Sequence, residues 1–137
     1  MKKLFVLAVI PFLFISCSKP GANATLEKQM TSGFWTVDLF TINGTDRTSE
    51  FWGYTFYFEN DGDIVADTSG FLTTGSWVRT NASNENPKMR FNFGSTSPLN
   101  LWNDEFQAVY REQNLVRYEE IAVSGSNDNK VLVLERN

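Results

Sequence analysis

The side chains that most often act as catalytic bases and nucleophiles are nearly absent from this chain. Its 137 residues include no histidine and one cysteine, Cys17. Serine triads that use histidine, Cys–His pairs and Cys/His zinc sites are therefore excluded. The sequence also has no glycine-rich loop of the kind that cradles phosphates. Carboxylates and the single thiol remain as candidates for chemistry.

The carboxylates do not form a recognisable catalytic or metal-binding pattern. Asp61-Gly62-Asp63 resembles part of a calcium loop but lacks its further acidic ligands, and it fits a hairpin turn better. The adjacent pairs Asp104-Glu105 and Glu119-Glu120 would point to opposite faces of a strand, so neither pair converges on one substrate. We expect no catalytic residue, no metal site and no cofactor.

Cys17 has a context that indicates lipid attachment. Met1-Lys2-Lys3 and the apolar run Leu4–Ile15 match the charged and apolar regions of a signal peptide. The run is too short to span a bilayer, which requires about 20 apolar residues. Phe14-Ile15-Ser16-Cys17 resembles a lipobox, with Phe14 where leucine is usual, and the alternative is an ordinary secretory signal. A lone cysteine here fits acylation better than redox chemistry.

This pattern predicts three segments: a signal peptide at 1–16, a lipidated tether at 17–25 and a β-barrel domain at 26–137. Loss of Lys2 and Lys3 from a chain with formal charge −4 leaves −6. An acidic domain is a poor partner for nucleic acid and for anionic lipid, so we expect membrane attachment through the N-terminal lipid only.

The resemblance to bacterial lipoproteins implies triacylation, with palmitate-type chains that satisfy the need for more than one anchor. Ser18, rather than aspartate, follows Cys17. By the same resemblance, this favours a location in the cell envelope, at the outer membrane and facing the periplasm.

The rest of the chain has the pattern of an all-β domain. A short helical turn at 25–30, capped by Thr25 and stopped by Gly33, precedes the strands. The predicted strands are Phe34–Thr41, Gly53–Glu59, Asp63–Asp67, Leu72–Thr80, Lys88–Phe93, Glu105–Arg111, Leu115–Ala122 and Lys130–Arg136.

Several strands alternate between apolar and polar residues, which is typical of antiparallel sheets with one buried face. Phe56 and Phe58 fall on one face with Tyr54, and Phe106 and Ala108 fall on one face with Tyr110. Short connections leave no room for parallel crossovers. The pattern predicts a single eight-stranded antiparallel up-and-down barrel, with a two-sheet sandwich as the alternative.

Gly33-Phe34-Trp35, at the start of the first strand, resembles the lipocalins, and more closely the small lipocalin-like lipoproteins of Gram-negative bacteria. Phe51–Phe58, Asp61-Gly62, Gly75-Ser76-Trp77 and Val131–Arg136 extend the match over about Leu26 to Arg136. The resemblance implies that Arg136 lies over Trp35 as a cation–π pair. The chain is shorter than a typical lipocalin and lacks the long C-terminal helix and the disulfides of many members.

Two hypotheses for function follow from this barrel. The first is non-catalytic binding of a small apolar or amphipathic ligand inside it. Its predicted ligand-binding residues are Tyr54, Phe56, Trp77, Arg79, Phe91, Phe93 and Tyr110. Arg79 shares a strand face with Trp77, so it would meet either an internal carboxylate or the acidic head of such a ligand. The second is that these rings only fill the core, and that the barrel binds a protein partner, as a periplasmic inhibitor or an envelope-assembly accessory.

Overall fold

A computed structural model describes residues 25–121 and 128–137 of the chain. Helix α1 spans Leu26–Met30, and two 3-10 helices span Thr48–Phe51 and Leu99–Trp102. The strands are β1 Phe34–Ile42, β2 Thr45–Asp46, β3 Tyr54–Phe58, β4 Asp63–Thr68, β5 Phe71–Arg79, β6 Lys88–Asn92, β7 Glu105–Glu112, β8 Leu115–Glu120 and β9 Lys130–Arg136.

The strands form a closed antiparallel barrel. Each of β3 to β8 pairs with the next strand in the chain, and β1 closes the ring by pairing with both β3 and β9. The two-residue strand β2 is an addition that pairs only with the end of β1. The predicted eight-stranded up-and-down barrel is confirmed, and the sandwich alternative is wrong.

Local turn chemistry explains why the chain reverses where it does. Gly62 adopts φ +96 in the turn between β3 and β4, and Asp61 accepts the backbone N–H of Asp63 at 3.1 Å. Ser69 and Gly70 form a two-residue turn between β4 and β5, with φ values of +53 and +87. Turns with positive φ at both positions match the right-handed twist of hairpin strands. The short helix is present as predicted. Thr25 is its cap, since the Thr25 side chain accepts the Lys28 backbone N–H at 3.3 Å.

The barrel has two differently built ends, which we name the helix end and the rim end. At the helix end, α1 covers the opening with the buried side chains of Leu26 and Met30. The rim end comprises β2, both 3-10 helices and the turn between β4 and β5. There the buried side chains of Phe51, Leu99 and Trp102 close the opening.

Strand β7 departs from the predicted alternation. Ala108 pairs with Tyr118, but the next pair is Tyr110 with Arg117, so the register shifts by one residue at this bulge. A bulge inserts one extra residue and reverses the faces of all residues beyond it. Tyr110 is therefore 50% exposed instead of inside. The prediction that it shares the inner face with Ala108 is wrong for this reason.

Candidate functional site

The aromatic rings predicted to line a ligand cavity lie in the barrel interior in contact with one another. Phe56 stacks on Trp102 with 4.4 Å between ring centroids and an interplanar angle of 24°. Phe91 and Phe93 approach the same tryptophan at 6.0 and 5.9 Å. Tyr54, at the rim end, stacks on Phe56 at 6.0 Å. Edge-to-face and offset contacts of this kind are the favourable geometries for packed aromatic rings.

Trp102, the centre of this ring cluster, was missed at the sequence level. It lies on the second 3-10 helix, within a stretch that has no strand alternation. Leu99 and Trp102 are spaced three residues apart and are both buried. An apolar pair at that spacing in an otherwise polar loop is the signal that could have identified an inserted helical turn.

Trp77 lies at the helix end rather than in the ring cluster. Its Nε1 donates to the backbone carbonyl of Glu59 at 3.0 Å, and its ring meets Phe58 edge-on at 5.3 Å. With Glu27 and Arg79 it lines a shallow surface pocket of about 220 Å³. The indole donor is satisfied by the backbone, so Trp77 offers no free hydrogen bond to a ligand there.

Arg79 is engaged by groups of the protein itself. One of its Nη atoms donates to both carboxylate oxygens of Glu27 at 2.9 Å. Its Nε donates to the Asn81 carbonyl, and its other Nη donates to the Ser83 carbonyl and to the Asn84 side chain, at 2.8, 2.6 and 2.9 Å. Its carboxylate partner Glu27 lies on α1 and is 38% exposed, so it is not the internal carboxylate that was predicted.

The same contact lowers the pKa of the Glu27 carboxylate. Partial burial of this group raises its pKa, but the hydrogen bond and the positive charge of Arg79 outweigh burial, with help from local hydrogen bonds. The net effect is a pKa of Glu27 below the ordinary value of 4.5. This ion pair joins α1 to β5 and to the loop that follows it.

Trp35 and Arg136, which the resemblance pairs, are in contact at the helix end. Arg136 Cζ lies 6.0 Å from the Trp35 ring centroid, and the two residues pair across β1 and β9. Trp35 Nε1 donates to the Met30 carbonyl at 2.8 Å. Gly33 has φ +133, a backbone conformation that other residues rarely adopt, and a Cβ there would also come within 3.2 Å of the Arg136 side chain.

Two interior polar atoms have no hydrogen-bond partner within the part of the chain that the structure describes. They are Trp102 Nε1 and Tyr118 Oη. Both side chains are fully buried, and burial raises the pKa of the Tyr118 phenol well above its ordinary value. An unpaired buried donor is costly, and such a group is a natural contact for a bound polar atom.

A charged cluster at the rim end was also not predicted from the sequence. Lys130 is buried, and its Nζ bonds the Asp104 carboxylate and lies 3.8 Å from Glu120 Oε1. Asp104 precedes β7, Glu120 ends β8 and Lys130 begins β9, and these three antiparallel neighbours meet at the rim end. Glu119 and Glu120 differ in side-chain exposure, at 43% and 1%, as expected for neighbours on a strand.

The strongest exposure of large apolar side chains is at the rim end. Trp52 and Phe71 are each 77% exposed and Leu72 is 67% exposed. We name these three residues the rim patch. Tyr54 pairs with Thr68, and Thr68 pairs with Phe71, so the patch spans three adjacent strands. Two strand spacings amount to about 10 Å, and Phe71 and Leu72 point to opposite faces of β5. One partner can therefore contact all three side chains by reaching over the rim.

Among residues 25–121 and 128–137, no helix is long and apolar enough to cross a bilayer. Within the same residues, no group of three His, Cys, Asp or Glu side chains is placed to hold a metal ion. Cys17 and the predicted signal peptide lie outside the described residues.

Comparison with known proteins identifies a fold relative. No family model matches the chain, and no curated protein matches it. One solved structure is similar, a DUF4847 family protein from Bacteroides vulgatus ATCC 8482, with a TM-score of 0.53. The two chains are 16% identical, and the alignment covers 82% of this chain and 97% of the other. Similarity at this level of identity extends to the fold alone.

Proposed function

We propose that this chain is a lipid-anchored, non-catalytic barrel of the cell envelope that binds a protein partner through its exterior. One contrast carries the proposal: the interior aromatic rings pack on one another, while large apolar side chains at the rim end face solvent. Exposed apolar patches on a small domain mark interaction sites.

Packing of the interior supports binding on the outside. A ligand would have to enter a space in which Phe56, Phe91 and Phe93 surround Trp102 at ring-centroid distances of 4.4 to 6.0 Å. Eight-stranded barrels are just wide enough to be filled by side chains or to hold one small molecule. Here the rings themselves occupy that width.

Anchoring supports a role at a membrane surface. The sequence preceding Cys17 has the signal-peptide pattern, and the described domain begins at Thr25. Eight residues lie from Cys17 to the residue before Thr25 and reach at most about 29 Å when extended. The lipid would therefore hold the barrel close to the outer membrane, with the periplasm around its exterior.

The test is native mass spectrometry of the full-length chain extracted with detergent from its own host. We expect the mass of a chain cleaved before Cys17 and acylated, together with a stoichiometric protein. Cys17→Ala is the matched control, and it should lose the acyl mass while keeping the protein partner. A copurifying small molecule with no protein would overturn the proposal.

A second candidate function is binding of a small amphipathic ligand in the barrel interior. The unpartnered Tyr118 Oη and Trp102 Nε1 favour it, because a polar atom between the rings would satisfy them. The candidate ligand-binding residues Phe56, Phe91 and Phe93 would then make room for it. Titration with palmitate, followed by tryptophan fluorescence of the wild type and of Tyr118→Phe, tests this candidate. This candidate function requires that palmitate bind the wild type saturably and that Tyr118→Phe weaken the binding.

A further inference from the structure

The residues of the rim patch lie on backbone segments that are held by hydrogen bonds. The turn before Phe71 has positive φ at Ser69 and Gly70, and Asp67 accepts the Gly70 backbone N–H at 2.9 Å. Trp52 caps the first 3-10 helix, where its own N–H bonds the Ser49 carbonyl at 3.4 Å. Side chains preorganised in this way lose little conformational freedom on binding.

The stretch of chain that contains the patch has no basic residue. No lysine or arginine occurs from Phe51 to Val78, a stretch that contains the whole patch. Of its acidic residues, Asp67 lies at the rim end, where it pairs with Leu72. Glu59, Asp61 and Asp63 lie at or beside the turn between β3 and β4, at the helix end.

The other charged residues described at the rim end do not make the border of the patch basic. Asp46 is exposed, and a hydrogen bond from Thr48 holds the pKa of its carboxyl below the usual range. The two basic residues there, Arg47 and Lys130, already bond Glu50 and Asp104. The rim patch is therefore an apolar surface with an acidic border.

We infer that the rim patch docks a protein segment whose apolar residues are flanked by lysine or arginine, an inference that rests on the proposed function and names its partner. Trp52, Phe71 and Leu72 supply the apolar contact, and aromatic residues dominate interface energies. Asp46 and Asp67 supply the complementary charge, which steers the encounter and rejects acidic partners.

Charge also argues against the two other occupants of such a patch. Membrane-binding surfaces with exposed aromatics carry lysine and arginine, because bilayers with anionic lipids attract basic groups. This border has the opposite sign. A second copy of the chain would bring an acidic border of the same sign, and like charges disfavour that contact.

Photo-crosslinking in the host bacterium locates the partner. Full-length chains carry p-benzoyl-phenylalanine in place of Trp52 or Phe71, and control chains carry it in place of Val78 or Val109, which are exposed on the barrel wall. We expect positions 52 and 71 to crosslink to one identified peptide with lysine or arginine beside apolar residues. Crosslinks to a protein only at 78 or 109 would overturn this inference but leave the proposed function standing. If no position crosslinks to protein and a small molecule copurifies, both fall.

A defined peptide tests the chemistry directly. The probe is a synthetic helical peptide of leucines and lysines, compared with a matched peptide of leucines and glutamates. We expect the full-length chain to bind the lysine peptide about tenfold or more tightly than the glutamate peptide at low salt, with the gap closing at about 1 M salt. The W52A/F71A variant should lose about tenfold or more in affinity for the lysine peptide, and V78A should lose none.

Two substitutions separate charge from structure. Asp46→Asn and Asp67→Asn keep an oxygen that accepts the same backbone N–H groups but remove the negative charge. Each should weaken lysine-peptide binding by about threefold to tenfold at low salt only. Equal affinity for both peptides, or stronger binding to vesicles of phosphatidylethanolamine and phosphatidylglycerol that W52A/F71A abolishes, would overturn the inference.

Discussion

The two ends of the barrel use tryptophan in opposite ways. At the helix end, Trp35 is fully buried, bonds the Met30 carbonyl and lies under Arg136. At the rim end, Trp52 is 77% exposed at the end of a 3-10 helix. The first position contributes stability because it removes a large apolar surface from water. The second leaves that surface in water, where only a partner can bury it.

The polar groups at the two ends differ in whether they connect distant parts of the chain or stay at the surface. At the helix end, Arg79 connects α1, β5 and the following loop through bonds to Glu27, Asn81, Ser83 and Asn84. At the rim end, Lys130 bonds Asp104. Asp46 and Asp67 bond only groups in their own turns and keep their charge at the surface. The helix end is thus built for stability, whereas the rim end retains surface for contact.

Replacing the two tryptophans gives the largest predicted contrast. We expect Trp35→Ala to lower the free energy of unfolding by about 3–5 kcal/mol, because it leaves a cavity and removes the Arg136 contact. Trp52→Ala should change it by less than about 0.5 kcal/mol. Urea denaturation followed by circular dichroism measures both, and equal losses would contradict the distinction between the ends.

Breaking the Arg79 network should have the next largest effect. Arg79 is 15% exposed and Glu27 is 38% exposed, so solvent screens part of the interaction. We expect Arg79→Met to lower stability by about 1–3 kcal/mol and to increase amide exchange in α1. Arg117→Met is the matched control, because the Arg117–Glu119 pair is exposed and should contribute about 0–1 kcal/mol. Unchanged exchange in α1 would show that Arg79 does not hold the helix.

Removal of the Tyr118 hydroxyl should act in the opposite direction. Its oxygen is buried without a partner among the described residues, so Tyr118→Phe should stabilise the ligand-free domain by about 0–1 kcal/mol. The measurement is the denaturation midpoint of the purified, delipidated chain. A loss of more than about 1 kcal/mol would indicate that a polar partner occupies the interior and would favour the second candidate function.

The pH dependence of the helix end gives the smallest effect. The pKa of Glu27 is lowered on folding, so its contribution to stability is present above about pH 4.5 and is lost as the pH falls through the folded value. Glu27→Gln should flatten this part of the stability curve between about pH 5 and pH 3. If the wild type and the variant show parallel curves across that window, the ion pair does not contribute in solution.

Much of the barrel was predictable because strand alternation is a local property. The eight barrel strands lie within two residues of their predicted ends, apart from the C-terminal end of β8, where the predicted Ala122 lies outside the described residues. The α1 cap and the hairpin turn at Asp61-Gly62-Asp63 were also predictable, since short-range hydrogen bonds and positive φ determine them. Neither 3-10 helix was predicted, because their buried faces exist only once the barrel has closed over them.

The candidate site was less predictable because it depends on contacts distant in sequence. Arg79 was recognised as needing a partner, but the choice of Glu27 depends on α1 folding under the barrel. Tyr110 was placed on the wrong face because a bulge at one position cannot be read from alternation alone. Exposure of Trp52 and Phe71 also follows from where the rim ends, which no local pattern encodes.

The sequence by itself determined which chemistry is absent and which backbone periodicity is present. The lack of histidine and of a second cysteine excludes whole catalytic classes, and period-two alternation specifies strands that need one covered face. Only the tertiary structure decided what covers that face. Closure of the ring brings Trp102 among the phenylalanines and leaves the rim patch outside, because burial depends on the arrangement of all the strands at once.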